Sequence, residues 1–206
     1  VENIELGTKW NLFDERLLLS AAAFQITKDD VMESVGNAYE TLGTLNTGKN
    51  RVRGVEFGAV GNLTDKLSGQ FSASIMDAEV LEAFTTNQIG KTLSNFADRS
   101  AHVQLRYQLT PKLAFGGGAT YSSEMYAGQP DTAAAFDPNT GAYSYRVPSY
   151  TTFDAFASYA INSTFAARLN IGNVFDKNYY LAAYRSGAFT YIGDARSAQL
   201  SFTANF

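Results

Sequence analysis

Nine segments of this chain alternate between apolar and polar side chains, and this period of two constrains the fold more than any other feature. Successive side chains of a β-strand point to opposite faces, so each segment is a predicted strand with one apolar face. The final segment shows the pattern without a break, in the apolar residues Ala198, Leu200, Phe202, Ala204 and Phe206. The predicted strands lie at 4–12, 17–27, 51–62, 67–78, 101–109, 113–122, 151–161, 164–171 and 198–206.

The connections between these strands alternate strictly in length. Short links (LFDER, LTDK, TPK and NS) alternate with long ones at 28–50, 79–98, 127–147 and 174–194. Tight periplasmic turns and long extracellular loops are typical of outer-membrane barrels, whereas a soluble sandwich has no reason to keep every second link short. The alternation alone does not distinguish lipid from a packed core on the apolar face. The polar faces, however, stay charged or amide-rich in mid-strand, and aromatic residues fall near strand ends, as in an interfacial girdle: Trp10, Tyr107, Tyr121 and Tyr159.

Composition excludes several classes of function. A net charge of -4 gives no basic surface for phosphates, so we expect no nucleic-acid partner. The longest nearly apolar run, at 17–24, is far shorter than the roughly 20 residues of a membrane-spanning helix. The chain has no cysteine, and His102 is its single histidine, so we expect neither a dedicated metal site nor a catalytic one. The glycines at 116–118 lie inside a strand pattern, where they would let the strand bend or another backbone come close.

The strand count predicts an incomplete barrel. Bacterial single-chain barrels have an even number of strands and both termini in the periplasm. With the last of nine strands ending in the periplasm, Val1 would lie on the outer side. We therefore expect an all-β, antiparallel transmembrane β-barrel segment of about nine strands, the C-terminal part of a larger barrel.

Four stretches in order resemble TonB-dependent outer-membrane receptors. They are NTGKNRVRGVEFGAVGNLTDKLSGQFSASIMDAEV, VPSYTTFDAFASYAIN, NIGNVFDKNYY and GDARSAQLSFTANF. The pattern looks most like siderophore receptors, of the catecholate type. The resemblance implies a barrel of about 22 strands with a plugged lumen, located in the bacterial outer membrane. Residues 1–206 would be its C-terminal portion, with the plug, its TonB box and roughly the first thirteen strands preceding Val1.

The same resemblance implies partners. The cargo would be a ferric siderophore, and iron would arrive inside it without any protein-bound cofactor. An inner-membrane TonB complex would act through the plug, membrane lipid would cover the wall, and the barrel-assembly machinery would read the terminal aromatic, Phe206.

A ferric siderophore is bulky, often anionic and rich in rings, so it needs cationic donors and aromatic faces on the outer loops. Arginine suits this ligand because its planar fork pairs with oxygens and stacks on rings. The last two long loops supply the predicted contacts: Tyr143, Tyr145, Arg146, Tyr184, Arg185, Phe189 and Tyr191. The alternative for each is ordinary loop packing or a place in the interfacial belt. The lumen-facing Glu56, Arg106 and Arg168 could line a solute route, or pair with the plug or neighbouring strands.

Two other functions fit the pattern. One is a passive outer-membrane barrel of about eight to ten strands, a porin or adhesin, for which this chain would be complete. The other is a soluble β-domain that binds carbohydrate or protein, which would be monomeric in buffer without detergent.

Overall fold

The computed structural model describes residues 1–34 and 44–205, and its strands number thirteen within those ranges. In chain order they are β1 (Glu2–Leu12), β2 (Leu17–Ser34), β3 (Thr44–Asn62), β4 (Leu67–Glu82), β5 (Arg99–Gln108), β6 (Leu113–Ser122), β7 (Met125–Tyr126), β8 (Arg146–Val147), β9 (Tyr150–Ala160), β10 (Phe165–Gly172), β11 (Tyr180–Tyr184), β12 (Phe189–Ile192) and β13 (Ser197–Ala204). A short 3₁₀ turn lies at Thr86–Gln88. No helix in the described ranges is long and apolar enough to cross a bilayer.

Nine of these strands form one antiparallel sheet in the order β1-β2-β3-β4-β5-β6-β9-β10-β13. Each corresponds to one of the nine predicted segments, and neighbours in the sheet follow one another along the chain, apart from the intervening short ladders. All four short links lie at the same end of the strands, which we call the short-link edge, and all four long connections lie at the opposite end. The predicted antiparallel meander is therefore confirmed.

Strands β2, β3 and β4 run well beyond the predicted segments, at the edge that carries the long connections. Apolar alternation stops there, but cross-strand ion pairs continue the ladder. The Nζ atom of Lys49 on β3 lies 2.9 Å from Asp29 Oδ1 on β2, and Glu79 on β4 pairs with Arg51. Opposite charges on neighbouring strands stabilise a sheet in water, where a hydrophobic face is not needed. The alternation of apolar and polar residues therefore predicts only the part of each of these strands that lies nearer the short links.

The apolar face of the sheet is bare. Leu6 is 80% exposed, Ile75 53% and Phe202 73%, although all three are large apolar side chains on strands. An apolar surface of this extent has to be covered, because water contact costs about 25 cal/mol for each Å². Aromatic residues lie on this face close to the short-link edge, among them Trp10, Tyr107 and Tyr159.

The opposite face is mostly polar, with a few apolar side chains such as Val60 and Phe156. Gln70 Nε2 donates to Gln104 Oε1 across 2.9 Å, and His102 Nδ1 lies 3.0 Å from Thr120 Oγ1. The sheet register places Glu56, Arg106 and Arg168 on this face as well. One face for an apolar medium and one for a polar medium is the arrangement that the alternation predicts.

Short-range hydrogen bonds fix the tight turns. Thr64 Oγ1 accepts from Leu67 N–H at 2.9 Å, Thr110 Oγ1 from Leu113 N–H at 3.0 Å, and Asn162 Oδ1 from Phe165 N–H at 2.8 Å. Side chains of this type mimic a backbone turn and satisfy the amides at the start of the next strand. The short links are therefore tight turns that are stabilised by hydrogen bonds within each turn.

Candidate ligand-binding surface

Two of the long connections contain small ladders that the sequence analysis treated as loops. Strand β7 pairs with β8 inside the β6–β9 connection, and β11 pairs with β12 inside the β10–β13 connection. The aromatic-rich stretches YLAAY and FTYI are typical strand compositions and could have indicated the second ladder. The first ladder has two residues on each strand, too few to show a period.

A small apolar core holds these connections together. It consists of the buried side chains of Met125, Ala127, Val147 and Ala183, with Ala97 packed against them. Its members come from the β4–β5, β6–β9 and β10–β13 connections. Three outer loops therefore share one core and form a single unit at this edge of the sheet.

Asn95 joins the same three connections by hydrogen bonds. Its Oδ1 accepts from Ala183 N–H at 2.9 Å, its Nδ2 donates to Ala183 C=O at 3.0 Å, and its own N–H donates to Tyr126 C=O at 2.7 Å. Its φ of 53° is left-handed, a conformation that asparagine tolerates better than most residues. The Asn95 side chain thus pairs with both the N–H and the C=O of Ala183, as a neighbouring β-strand would. No local sequence pattern points to this role.

Further contacts connect the β4–β5 and β6–β9 connections. Thr92 N–H donates to the Tyr143 hydroxyl at 2.8 Å, and the Tyr143 ring stacks on Tyr126 with centroids 4.5 Å apart. Lys91 Nζ lies 4.9 Å from the centre of the Phe136 ring. Tyr143, a predicted ligand contact, is therefore half-buried and held in place by loop packing.

Arg146 and Tyr145 lie side by side at the exposed end of the β7–β8 ladder. Arg146 Nε is 2.6 Å from Glu124 Oε2, and the Tyr126 hydroxyl donates to Glu124 Oε1 at 3.2 Å. Burial, and then this bond to Glu124, raise the pKa of Tyr126. Tyr145 is 44% exposed and its ring faces Gly187 of the last connection.

The last connection presents the other four predicted residues. Arg185 lies with its guanidinium carbon 5.3 Å from the Tyr184 ring centre, and the Tyr184 and Phe189 rings are 6.4 Å apart. Arg185 N–H donates to Gly128 C=O at 3.0 Å, which fixes this ladder against the β6–β9 connection. Phe189 is 67% exposed and Tyr191 is 63% exposed. We call Tyr145, Arg146, Tyr184, Arg185, Phe189 and Tyr191 the outer aromatic surface.

The base of the last connection is closed by the buried side chain of Asn173. Its Nδ2 donates to the carbonyls of Lys177 and Asp194, each at 2.9 Å, while its Oδ1 accepts from Lys177 N–H at 2.9 Å. Its own N–H donates to Asp154 Oδ1 on β9 at 2.8 Å. The NVFDK stretch is therefore a clasp that fixes the two ends of the connection to each other and to the sheet.

Tyr179 closes the same region from the other side. Its ring covers Gly193 so closely that a Cβ at that position would come within 2.1 Å of the ring. The ring also packs at 4.5 Å against that of Tyr150, and burial raises the pKa of the Tyr179 hydroxyl. Glycine is required at 193 because the tyrosine ring occupies the space of a side chain.

Comparison with known proteins gives the family. The family described as "TonB dependent receptor-like, beta-barrel" matches residues 1–174. The chain belongs to the TonB-dependent receptor β-barrels. It is 33% identical to the probable TonB-dependent receptor BfrD of Bordetella pertussis, and the alignment covers 100% of this chain and 27% of that protein. It is 30% identical to the probable TonB-dependent siderophore receptor PiuA of Acinetobacter baumannii, across 97% of this chain and 26% of that protein.

Solved receptor barrels have the same fold. The crystal structure of PiuA aligns with a TM-score of 0.79 at 28% identity, covering 98% of this chain and 28% of that chain. The closed form of the ferric-catecholate import receptor Fiu from E. coli K12 aligns with a TM-score of 0.76 at 25% identity, covering 99% and 27%. This chain therefore spans about a quarter of the length of the receptors that it matches.

The family assigns a side to every surface described above. Outer-membrane barrels have an outward apolar band, a polar lumen and long extracellular loops, and the apolar face, the polar face and the long connections of this chain correspond to these three parts. The soluble β-domain and the small passive barrel are not favoured. The ligand-contact residues stay predictions, and Phe206, the predicted assembly signal, lies outside the described residues.

Proposed function

We propose that this chain supplies the C-terminal barrel wall and outer loops of a receptor that imports a ferric siderophore of the catecholate class. The observation that carries the proposal is the outer aromatic surface, where Tyr145 of one loop lies against Gly187 of the other and the Arg185 guanidinium lies beside the Tyr184 ring. Ferric catecholate complexes are anionic and carry planar rings, so arginine can pair with their oxygens while aromatic side chains stack on their rings. Relatives named as siderophore receptors support this choice of cargo.

The proposal extends to the rest of the receptor. The energy for release would come from the TonB complex, acting on a plug that this chain does not include. Iron would enter inside the siderophore, without a resident metal or a catalytic step. Outer-membrane lipid would cover the apolar face, and the barrel-assembly machinery would recognise the aromatic ring of Phe206.

Uptake by cells tests this function. We expect a strain that depends on the whole receptor to take up radiolabelled iron from a ferric catecholate when iron is scarce. Arg185→Gln is expected to lower uptake at sub-saturating ligand by roughly tenfold, because a charged hydrogen bond contributes about 1.5–3 kcal/mol. Arg146→Gln should also lower uptake, because it removes the second guanidinium of the outer aromatic surface.

The control is Arg16→Gln. Arg16 pairs with Asp65 at the short-link edge, 2.8 Å away and on the opposite side of the membrane from the proposed site. Uptake equal to wild type in Arg16→Gln and reduced in Arg185→Gln supports the site. Equal growth of the strain with the receptor and the strain without it, on every ferric catecholate offered, would rule out this cargo class.

A further inference from the structure

Arg168 is presented to the lumen on an aromatic platform. Its guanidinium carbon lies 4.2 Å from the centre of the Phe156 ring, and its Nε donates to Asn170 Oδ1 at 2.8 Å. The ring in turn lies against Gly116, where a Cβ would come within 2.8 Å of Phe156 Cζ. A glycine on β6 therefore makes room for a ring on β9, and the ring and an amide hold an arginine of β10 in one orientation.

Arg106 lines the same recess of the lumen wall. The recess has a volume of about 490 Å³ and lies in the half of the wall near the short links, between β3 and β10. Gln70 and Gln104, which also line it, are neutral and bonded to each other. Arg106 donates to Gln108 Oε1, another neutral amide. The wall of the recess thus carries two positive charges.

Neither arginine has an acidic partner within the described ranges. The ion pairs found there use other cations, and no carboxylate lies within 4.0 Å of the guanidinium of Arg106 or Arg168. By contrast, Arg16, Arg51 and Arg53 each contact a carboxylate. A guanidinium has five N–H donors in a rigid fork that suits the paired oxygens of an oxyanion. The two arginines therefore still have donors for a negatively charged group.

We propose that Arg106 and Arg168 form an oxyanion-binding site on the lumen wall. Two sources can supply the oxyanion. One is a carboxylate from the plug of the receptor's own chain, because outer-membrane transporter barrels of about 22 strands have a plugged lumen. The other is the anionic oxygen set of the cargo on its way inward, and this second source rests on the proposed function.

Charge removal in the whole receptor distinguishes the two sources. The variant is Arg106→Gln with Arg168→Gln, and Arg16→Gln is the control. If the receptor supplies the carboxylate, the plug of the double variant will become sensitive to trypsin at a lower urea concentration than the plug of the control. This measurement is made without cargo. If the cargo supplies the oxyanion, that urea midpoint will stay unchanged, and import at saturating ferric catecholate will fall about tenfold while surface binding stays constant.

Smaller changes keep the test decisive if the double variant does not reach the membrane. Arg168→Lys keeps the charge but loses the fork, and Phe156→Leu removes the platform but keeps both charges. Each should move the same measurement in the same direction by a smaller amount. The proposal is overturned if variants and control agree in both measurements. A wild-type receptor that imports no ferric catecholate contradicts the proposed function instead, and the urea measurement without cargo then decides the site alone.

Discussion

Replacement of Asn95 by glycine is expected to weaken binding of a ferric catecholate to the intact receptor by about tenfold, although Asn95 is outside the outer aromatic surface. Glycine keeps the left-handed backbone, since φ at 95 is 53°, and removes both side-chain bonds to Ala183. The β10–β13 connection then loses its main polar link to the β4–β5 connection. The measurement is an equilibrium titration, together with amide hydrogen exchange at Ala183, which should become faster.

The matched control is Asn87→Gly, an exposed asparagine in the same connection. Asn95→Asp is a second variant, because it keeps the acceptor but places a carboxylate against the Ala183 carbonyl. We expect it to bind as weakly as Asn95→Gly at neutral pH. Faster exchange at Ala183 with unchanged affinity would show that binding does not need the three-loop unit.

Replacement of Asn173 by alanine is expected to open the base of the last connection. The change removes three side-chain hydrogen bonds and puts alanine at a φ of 48°, together about 3 kcal/mol or more of local stability. Lys177 N–H, whose acceptor is Asn173 Oδ1, should then exchange about 100-fold faster, since 1.4 kcal/mol corresponds to tenfold.

Asn173→Gly separates the two causes, because glycine adopts this φ without strain and loses only the hydrogen bonds. Asn162→Ala serves as the control, since its carboxamide caps a tight turn at the other edge of the sheet. Exchange at Lys177 should be unaffected in Asn162→Ala. Equal exchange at Lys177 in wild type and Asn173→Ala would mean that the clasp does not hold the connection.

The wall of the barrel could be predicted from sequence because one physical rule governs it. Strands of outer-membrane barrels alternate between an apolar outer face and a polar inner face, and every residue from Ala198 to Ala204 follows this period of two. The rule ends where the lipid ends. Beyond that point Lys49 on β3 and Glu79 on β4 extend these strands through ion pairs, and no hydrophobic pattern marks them.

The outer loops could be predicted only as a list of suitable side chains. Tyr145 and Arg185 belong to different connections, and their neighbourhood depends on Asn95 and on a core of small residues such as Ala127 and Ala183. Alanine and asparagine are common in loops and carry no signal of such contacts. Gly116 was expected to let the strand bend or another backbone come close; the carbonyl oxygen of Leu105 does lie close to it, and the Phe156 ring, which the sequence did not indicate, lies there as well.

The central claim is that the last two outer loops of this chain bind a ferric catecholate in the intact receptor. The most direct test is a titration of the purified receptor with a ferric catecholate, comparing wild type with the double variant Phe189→Ala and Tyr191→Ala. Phe175→Leu is the matched control, because Phe175 is 73% exposed but packs edge-on against Phe153 of the lipid face.

The account predicts that wild type and Phe175→Leu bind with the same Kd, and that the double variant binds at least roughly tenfold more weakly, because each lost ring contact contributes about 0.5–1.5 kcal/mol beyond its buried area. Equal Kd values for all three proteins, or no binding by wild type, would contradict it.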